Sequence, residues 1–161
     1  MTDSNFIIEN DILIKCLNKN ITIIKIPDGV TKIYNNAFAY CRELKKIILP
    51  DSLQIIDDYA FYFCKKLEYI NIPFNVIEIG RYAFAFCQKL KSIIIPHNVE
   101  TIGEHAFYCC LELEQIVIPK NLNISKNVFA LYRYDKNKKI YPLNEQNKKN
   151  KKNKENICIV Y

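Results

Sequence analysis

Glycine is scarce in this 161-residue chain, which has only Gly29, Gly80 and Gly103. None stands in a G-x-G-x-x-G or P-loop arrangement, so the sequence offers no glycine-rich cradle for a phosphate. Histidine is scarcer still, with His97 and His105 alone, and the seven cysteines include no C-x₂-C pair of the kind zinc favours. No apolar run approaches the roughly 20 residues of a membrane-spanning helix. The first residues carry Asp3, Glu9 and Asp11 and lack the basic and then continuously apolar regions of a secretory leader, while Thr2 in place of glycine removes an N-myristoylation acceptor. The expectation is a cytoplasmic chain with reduced thiols, because an odd cysteine count leaves one unpaired even in an oxidising compartment.

What is present is a period. The six prolines, Pro27, Pro50, Pro73, Pro96, Pro119 and Pro142, recur every 23 residues. Ala37, Ala60, Ala83 and Ala106 keep the same step, as do Phe38, Phe61, Phe84 and Phe107, then Cys41, Cys64, Cys87 and Cys110, then Leu44, Leu67, Leu90 and Leu113. A fixed period of this length marks a solenoid, in which one small unit is laid down repeatedly and only stacking buries its apolar face. Within a unit the alternation of Ile47 and Leu49 reads as a short strand, which Pro50 ends because it has no N–H for a ladder. Leu53, Ile56, Ala60, Phe61 and Cys64 follow at spacings of three and four, which predicts a short α-helical or 3₁₀ arm packed over the strand. The predicted fold is an α/β repeat solenoid.

The ends depart from the period. Residues 5–9 and 12–17 predict a hairpin turned at Asn10 and Asp11, placing a capping unit over 1–20 ahead of a solenoid spanning 21–143. Near the other end Val128 replaces alanine and Tyr132 stands at the cysteine position, while Lys139-Ile140-Tyr141-Pro142 reads as a degenerate sixth strand with a lysine at a core position. Residues 144–156 contain no apolar side chain, and 144–161 predicts a disordered Lys/Asn-rich tail ending in Ile-Cys-Ile-Val-Tyr. Charge follows this division. Residues 1–132 hold 14 basic and 14 acidic side chains, so the net charge of +6 lies entirely in the last 29 residues.

The unit I-x-I-P-x-x-V-x-x-I-x-x-x-A-F-x-x-C-x-x-L resembles the BspA-type leucine-rich repeat, strongly over 21–132, with the preceding hairpin similar to one that leads such arrays. The resemblance implies a parallel-stranded solenoid with strands on a concave face and arms on a convex one, and a role in adhesion or protein binding rather than catalysis. No cofactor, metal or small-molecule substrate is expected.

Candidate chemistry divides accordingly. The cysteine column reads as core packing, the Asp57-Asp58 pair as a turn position shared with Gly80 and Gly103, and the two histidines as surface residues. No nucleophile and base converge in any column, so enzymatic activity is not expected. With Ile47 and Leu49 inward, Lys46 and Ile48 face out, and the equivalent pairs Tyr69 and Asn71, Ser92 and Ile94, Gln115 and Val117 complete a candidate binding face for another protein. Cys158-Ile159-Val160-Tyr161 has the C-a-a-X form of a prenylation site, preceded by Lys148, Lys149, Lys151, Lys152 and Lys154, which supply a second, electrostatic membrane signal. The leading expectation is an interaction module tethered to the inner face of an anionic membrane, such as the plasma membrane. Two alternatives stand beside it: a soluble module whose basic tail meets nucleic acid or an import receptor, and a surface adhesin. Against nucleic acid, no aromatic residue lies between Lys148 and Asn156 for base stacking.

Overall fold

A computed structural model describes residues 5–120, 122, 124 and 127–129, together with the backbone strands 139–141 and 158–160. The chain winds as a β-solenoid. Two short strands join first, β1 (Phe6–Glu9) and β2 (Ile12–Cys16), paired antiparallel through left-handed Asn10 and Asp11, two residue types that tolerate that conformation. Each following coil contributes to two faces. Sheet A continues from the hairpin through β4 (Lys32–Ile33), β6 (Ile55–Ile56), β7 (Glu78–Ile79) and β9 (Thr101–Ile102), all parallel and joined in that order to β2. Sheet B stacks β3 (Ile23–Lys25) on β5 (Lys46–Ile48), then β8 (Ser92–Ile94) on β10 (Gln115–Val117). In the coil between these two pairs, single bridges at Tyr69 to Lys46 and Ser92 keep the stack continuous.

Among the described residues, each proline opens the corner between the two sheets. The Pro27, Pro50, Pro73, Pro96 and Pro119 carbonyls accept from the N–H three residues on, at Val30, Leu53, Val76, Val99 and Leu122. The Val-x-x-Ile spacing that predicted a helical arm is therefore a turn followed by a second strand. No helix occurs among the described residues, and the predicted arms are corrected to a third face of successive turns. The reason lies in the backbone N–H groups of the Ala-Phe segment. In one coil the N–H groups of Tyr59, Phe61 and Phe63 donate sideways to the carbonyls of Arg81, Ala83 and Ala85 in the next coil, while those of Ala60, Tyr62 and Cys64 close local turns. With every second donor committed to a neighbouring coil, no helical ladder can form. Two residues per coil sit at positive φ to allow this, among them Tyr40, Tyr59, Phe63, Tyr82 and Phe86, at a cost on the order of 1 kcal/mol each.

The core is a set of columns. Phe38, Phe61, Phe84 and Phe107 are fully buried, with ring centroids 5.2, 5.1 and 5.3 Å apart in succession, and Phe129 continues the stack at 5.3 Å. At the amino-terminal end Phe6 meets Phe38 edge-on at 6.1 Å. Carbonyls of the first coil, which no earlier coil satisfies, are met there by the Cys16 N–H at 2.9 Å to Ala37 and by the Lys19 ammonium at 3.0 Å to Ala39.

The carboxyl-terminal end differs from expectation. The degenerate sixth strand exists as β11 (Lys139–Tyr141), but β12 (Cys158–Val160) lies between it and β10, all three parallel. Ile116 aligns with Ile159, and Ile159 with Ile140, so β11 is one residue out of the 23-residue phase. Ile140, and not Lys139, therefore stands in register with Ile116 through Ile159. The tail residues 144–156 lie outside the described residues.

Candidate functional site

Alternation along sheet B sends Ile24, Ile47, Ile70, Ile93 and Ile116 into the core and their neighbours outward. Parallel register then aligns those neighbours in two columns. One runs Ile23, Lys46, Tyr69, Ser92, Gln115; the other runs Lys25, Ile48, Asn71, Ile94, Val117. All eight residues placed on this face from the sequence lie outward, with Ser92 and Val117 half-buried and the rest exposed. Large apolar side chains stand open to water here: Ile48 is 44% exposed, Tyr69 53%, Ile94 55% and Ile23 61%. The Lys91 ammonium lies 5.7 Å from the centre of the Tyr69 ring. Sequence reasoning missed Ile23 and Lys25, although Thr22-Ile23-Ile24-Lys25 falls in the same phase one unit earlier.

A second feature was missed altogether. The third face carries an aromatic band in which Tyr59 stacks on Tyr82 at 5.1 Å, Phe63 lies against Phe86 at 4.5 Å, and Tyr62 meets both Tyr40 and Phe86 edge-on. Arg42 lies 5.8 Å from the Tyr40 ring and Lys65 5.1 Å from that of Phe63. The legible signal was the aromatic residues flanking each Ala-Phe pair, as in Tyr59-Ala60-Phe61-Tyr62-Phe63. His105 joins this band, 4.9 Å from Tyr82, and is half-buried rather than on the open surface, whereas His97 is exposed.

The cysteine column is core. The Cys64, Cys87 and Cys110 thiols donate to the carbonyls of Phe38, Phe61 and Phe84 in the preceding coils, at 3.2, 3.3 and 3.3 Å. Burial pushes the Cys64 thiol up to about 12 and raises those of Cys87 and Cys110. Cys41 is raised first by its hydrogen bond with Cys16 and then by burial. Among the described residues no group of three His, Cys, Asp or Glu gathers that could hold a metal ion. The acidic pair is divided between structural tasks: Asp57 pairs with Lys32 at 2.8 Å, and the Asp58 carboxylate accepts the Arg81 N–H at 2.6 Å. Gly80 and Gly103 let neighbouring coils approach, since a Cβ there would land on the backbone nitrogen of Asp58 or Arg81 respectively. No helix among the described residues is long and apolar enough to cross a membrane. Of the tail residues singled out in the sequence, Lys148, Lys149, Lys151, Lys152 and Lys154 lie outside the described residues, and Cys158 is placed as the first residue of β12.

Known structures share this geometry. The chain is 25% identical to a leucine rich repeat protein of T. pallidum, covering 74% of this chain and 71% of that one with a TM-score of 0.61. It is 34% identical to a leucine rich cell surface protein from Faecalibacterium prausnitzii over 73% of this chain, TM-score 0.69, and 27% identical to the pneumococcal vaccine antigen PcpA over 76% of this chain, TM-score 0.62. It spans only 31% and 33% of those last two proteins. No curated protein matches it. The family model for the BspA type leucine rich repeat region matches residues 8–134 in six copies, and the chain belongs to the BspA-type leucine-rich-repeat family.

Proposed function

We propose that the chain is a non-catalytic protein-interaction module whose partner lies against the outer face of sheet B. The observation that carries this reading is the exposure of Ile23, Ile48, Tyr69 and Ile94 in two aligned columns of sheet B. Exposed apolar surface of this extent, interspersed with Lys25 and Lys46, is the usual mark of a docking face. Tyr69→Ala and Ile94→Asp are expected to weaken retention of a partner isolated with the unsubstituted protein while leaving thermal unfolding nearly unchanged. If both variants instead lower the unfolding temperature and binding is intact, the face is structural.

In a chain that ends at Tyr161, Cys158 is the proposed lipid attachment site, and the five lysines Lys148, Lys149, Lys151, Lys152 and Lys154 hold the module on the inner face of an anionic membrane. In that reaction the Cys158 thiolate attacks C1 of a prenyl diphosphate. The S–C thioether forms as the C–O bond breaks, diphosphate leaves, and the thiol proton passes to solvent. The bulky terminal tyrosine favours a geranylgeranyl group. One lipid alone binds weakly and each lysine adds about 1 kcal/mol near an anionic leaflet, so both signals are needed. Cys158→Ser should make the protein soluble, and lysine-to-glutamine exchange at the five positions should release it in part. Sedimentation of the Cys158→Ser protein with membranes would refute the lipid tether.

Similarity to a cell surface protein of Faecalibacterium prausnitzii favours a second reading, a surface adhesin. Labelling of intact cells with a membrane-impermeant amine reagent separates the two, because only the adhesin is modified. The third reading, a soluble module whose lysines contact nucleic acid or an import receptor, requires retention on nucleic acid or the receptor that the lysine-to-glutamine protein loses.

A further inference from the structure

We infer that docking of Cys158–Val160 in sheet B and lipidation of Cys158 exclude one another, so that the carboxyl-terminal strand gates its own modification; this rests on the tether reading above. β12 is an interior strand, with β10 on one side and β11 on the other. A prenyltransferase must draw the final four residues, extended, into its own apolar pocket. A backbone paired along both edges is not available for that.

The segment fits its slot in sequence as well as in position. Cys158-Ile159-Val160 matches Gln115-Ile116-Val117 at two of three residues, and the register sets Ile159 opposite Ile116 and Val160 opposite Val117. The two strands are 43 residues apart, whereas two periods of the array would place them 46 apart. β12 is thus a copy of the repeat strand that lies outside the repeat, and it occupies the place beside β10 that the period assigns to β11.

That place has two claimants. When β12 leaves, β11 can close onto β10 with Ile140 already on the column of Ile116, so release does not strand a bare sheet edge. Residues 142–157, sixteen in number, exceed the dozen needed to connect parallel strands and leave β12 free to return. The end of the solenoid is therefore a two-state element. A released state populated at about 0.1–10% slows lipidation about 10- to 1,000-fold relative to a free terminus. A partner that displaces β12 from β10 would raise that fraction.

The test compares three substrates with purified protein geranylgeranyltransferase and geranylgeranyl diphosphate, read by intact mass: the full chain, a synthetic peptide of residues 148–161, and a Cys158→Ser chain extended by a Gly-Ser spacer and a second Cys-Ile-Val-Tyr end. The expected result is a full chain at least about tenfold slower than the peptide, with the extended chain restored to the peptide's rate. Equal rates for full chain and peptide overturn the gate and leave the tether standing. An extended chain as slow as the full chain also overturns it, because the bulk of the solenoid and not the strand would then be the obstacle. A peptide that is not modified at all overturns the tether and the gate together.

Discussion

At its amino-terminal end the solenoid is extended by a hairpin of its neighbours in sequence, and beyond β10 sheet B continues through a strand 43 residues away, with β11 outside it. The hairpin β1–β2 extends sheet A and buries Phe6, Leu13 and Cys16 in the core. β12 extends sheet B out of chain order. A closure made by adjacent residues forms early and reopens only with the fold, because little loop entropy opposes it. A closure made across a long connection is opposed by more loop entropy. The difference separates a structural cap from an exchangeable one.

Mutations can break that comparison. The largest effect is expected in the body, where Phe84→Ala removes the ring between Phe61 and Phe107 and should cost about 3–5 kcal/mol in denaturant unfolding. Leu13→Ala in the amino-terminal cap should cost about 3 kcal/mol, showing that this cap unfolds with the body. Gly80→Ala should cost about 1–3 kcal/mol, because the added methyl presses on the Asp58 backbone of the neighbouring coil. Deleting residues 157–161 should cost less than about 1 kcal/mol, a surface-sized change. A deletion that costs as much as Leu13→Ala would erase the distinction between the ends.

The buried thiols add a pH dependence. Their folded-state values lie above the ordinary thiol value of about 8.5, and that of Cys64 is pushed up to about 12. The folded chain therefore keeps protons that the unfolded chain loses, and the stability they contribute, complete below about pH 8.5, is lost as pH rises towards 12. Unfolding temperature should fall across that window, and less steeply in the Cys64→Ala protein.

The columns were legible because a stacked array needs the same residue in the same place in every unit. Phe38, Phe61, Phe84 and Phe107 could be found by period alone, and so could the outward phase of Lys46 and Ile48. The predicted arm was wrong because spacings of three and four are shared by helices and by tight turns. What decides between them is where the N–H groups of Tyr59, Phe61 and Phe63 go, and that depends on the next coil rather than on local sequence. The aromatic band escaped for a related reason: Tyr40, Phe63 and Phe86 share one position, Tyr59 and Tyr82 a second and Tyr62 and Tyr108 a third, but no position keeps one residue type, and the three meet only through the stack. β12 escaped because it breaks the period that revealed everything else.

The sideways hydrogen bonds of the Ala-Phe segments run one way, from the N–H of one coil to the carbonyl of the next. On this face the stack consequently has a direction, and the acceptors at its first coil are met within the chain, Ala37 by the Cys16 N–H and Ala39 by the Lys19 ammonium. A stack with bare acceptors at one end invites a head-to-tail contact, which does not close on itself but grows into an open fibre. With the Lys19 ammonium 3.0 Å from the Ala39 carbonyl, the first coil offers another molecule a positive charge there and not a bare acceptor.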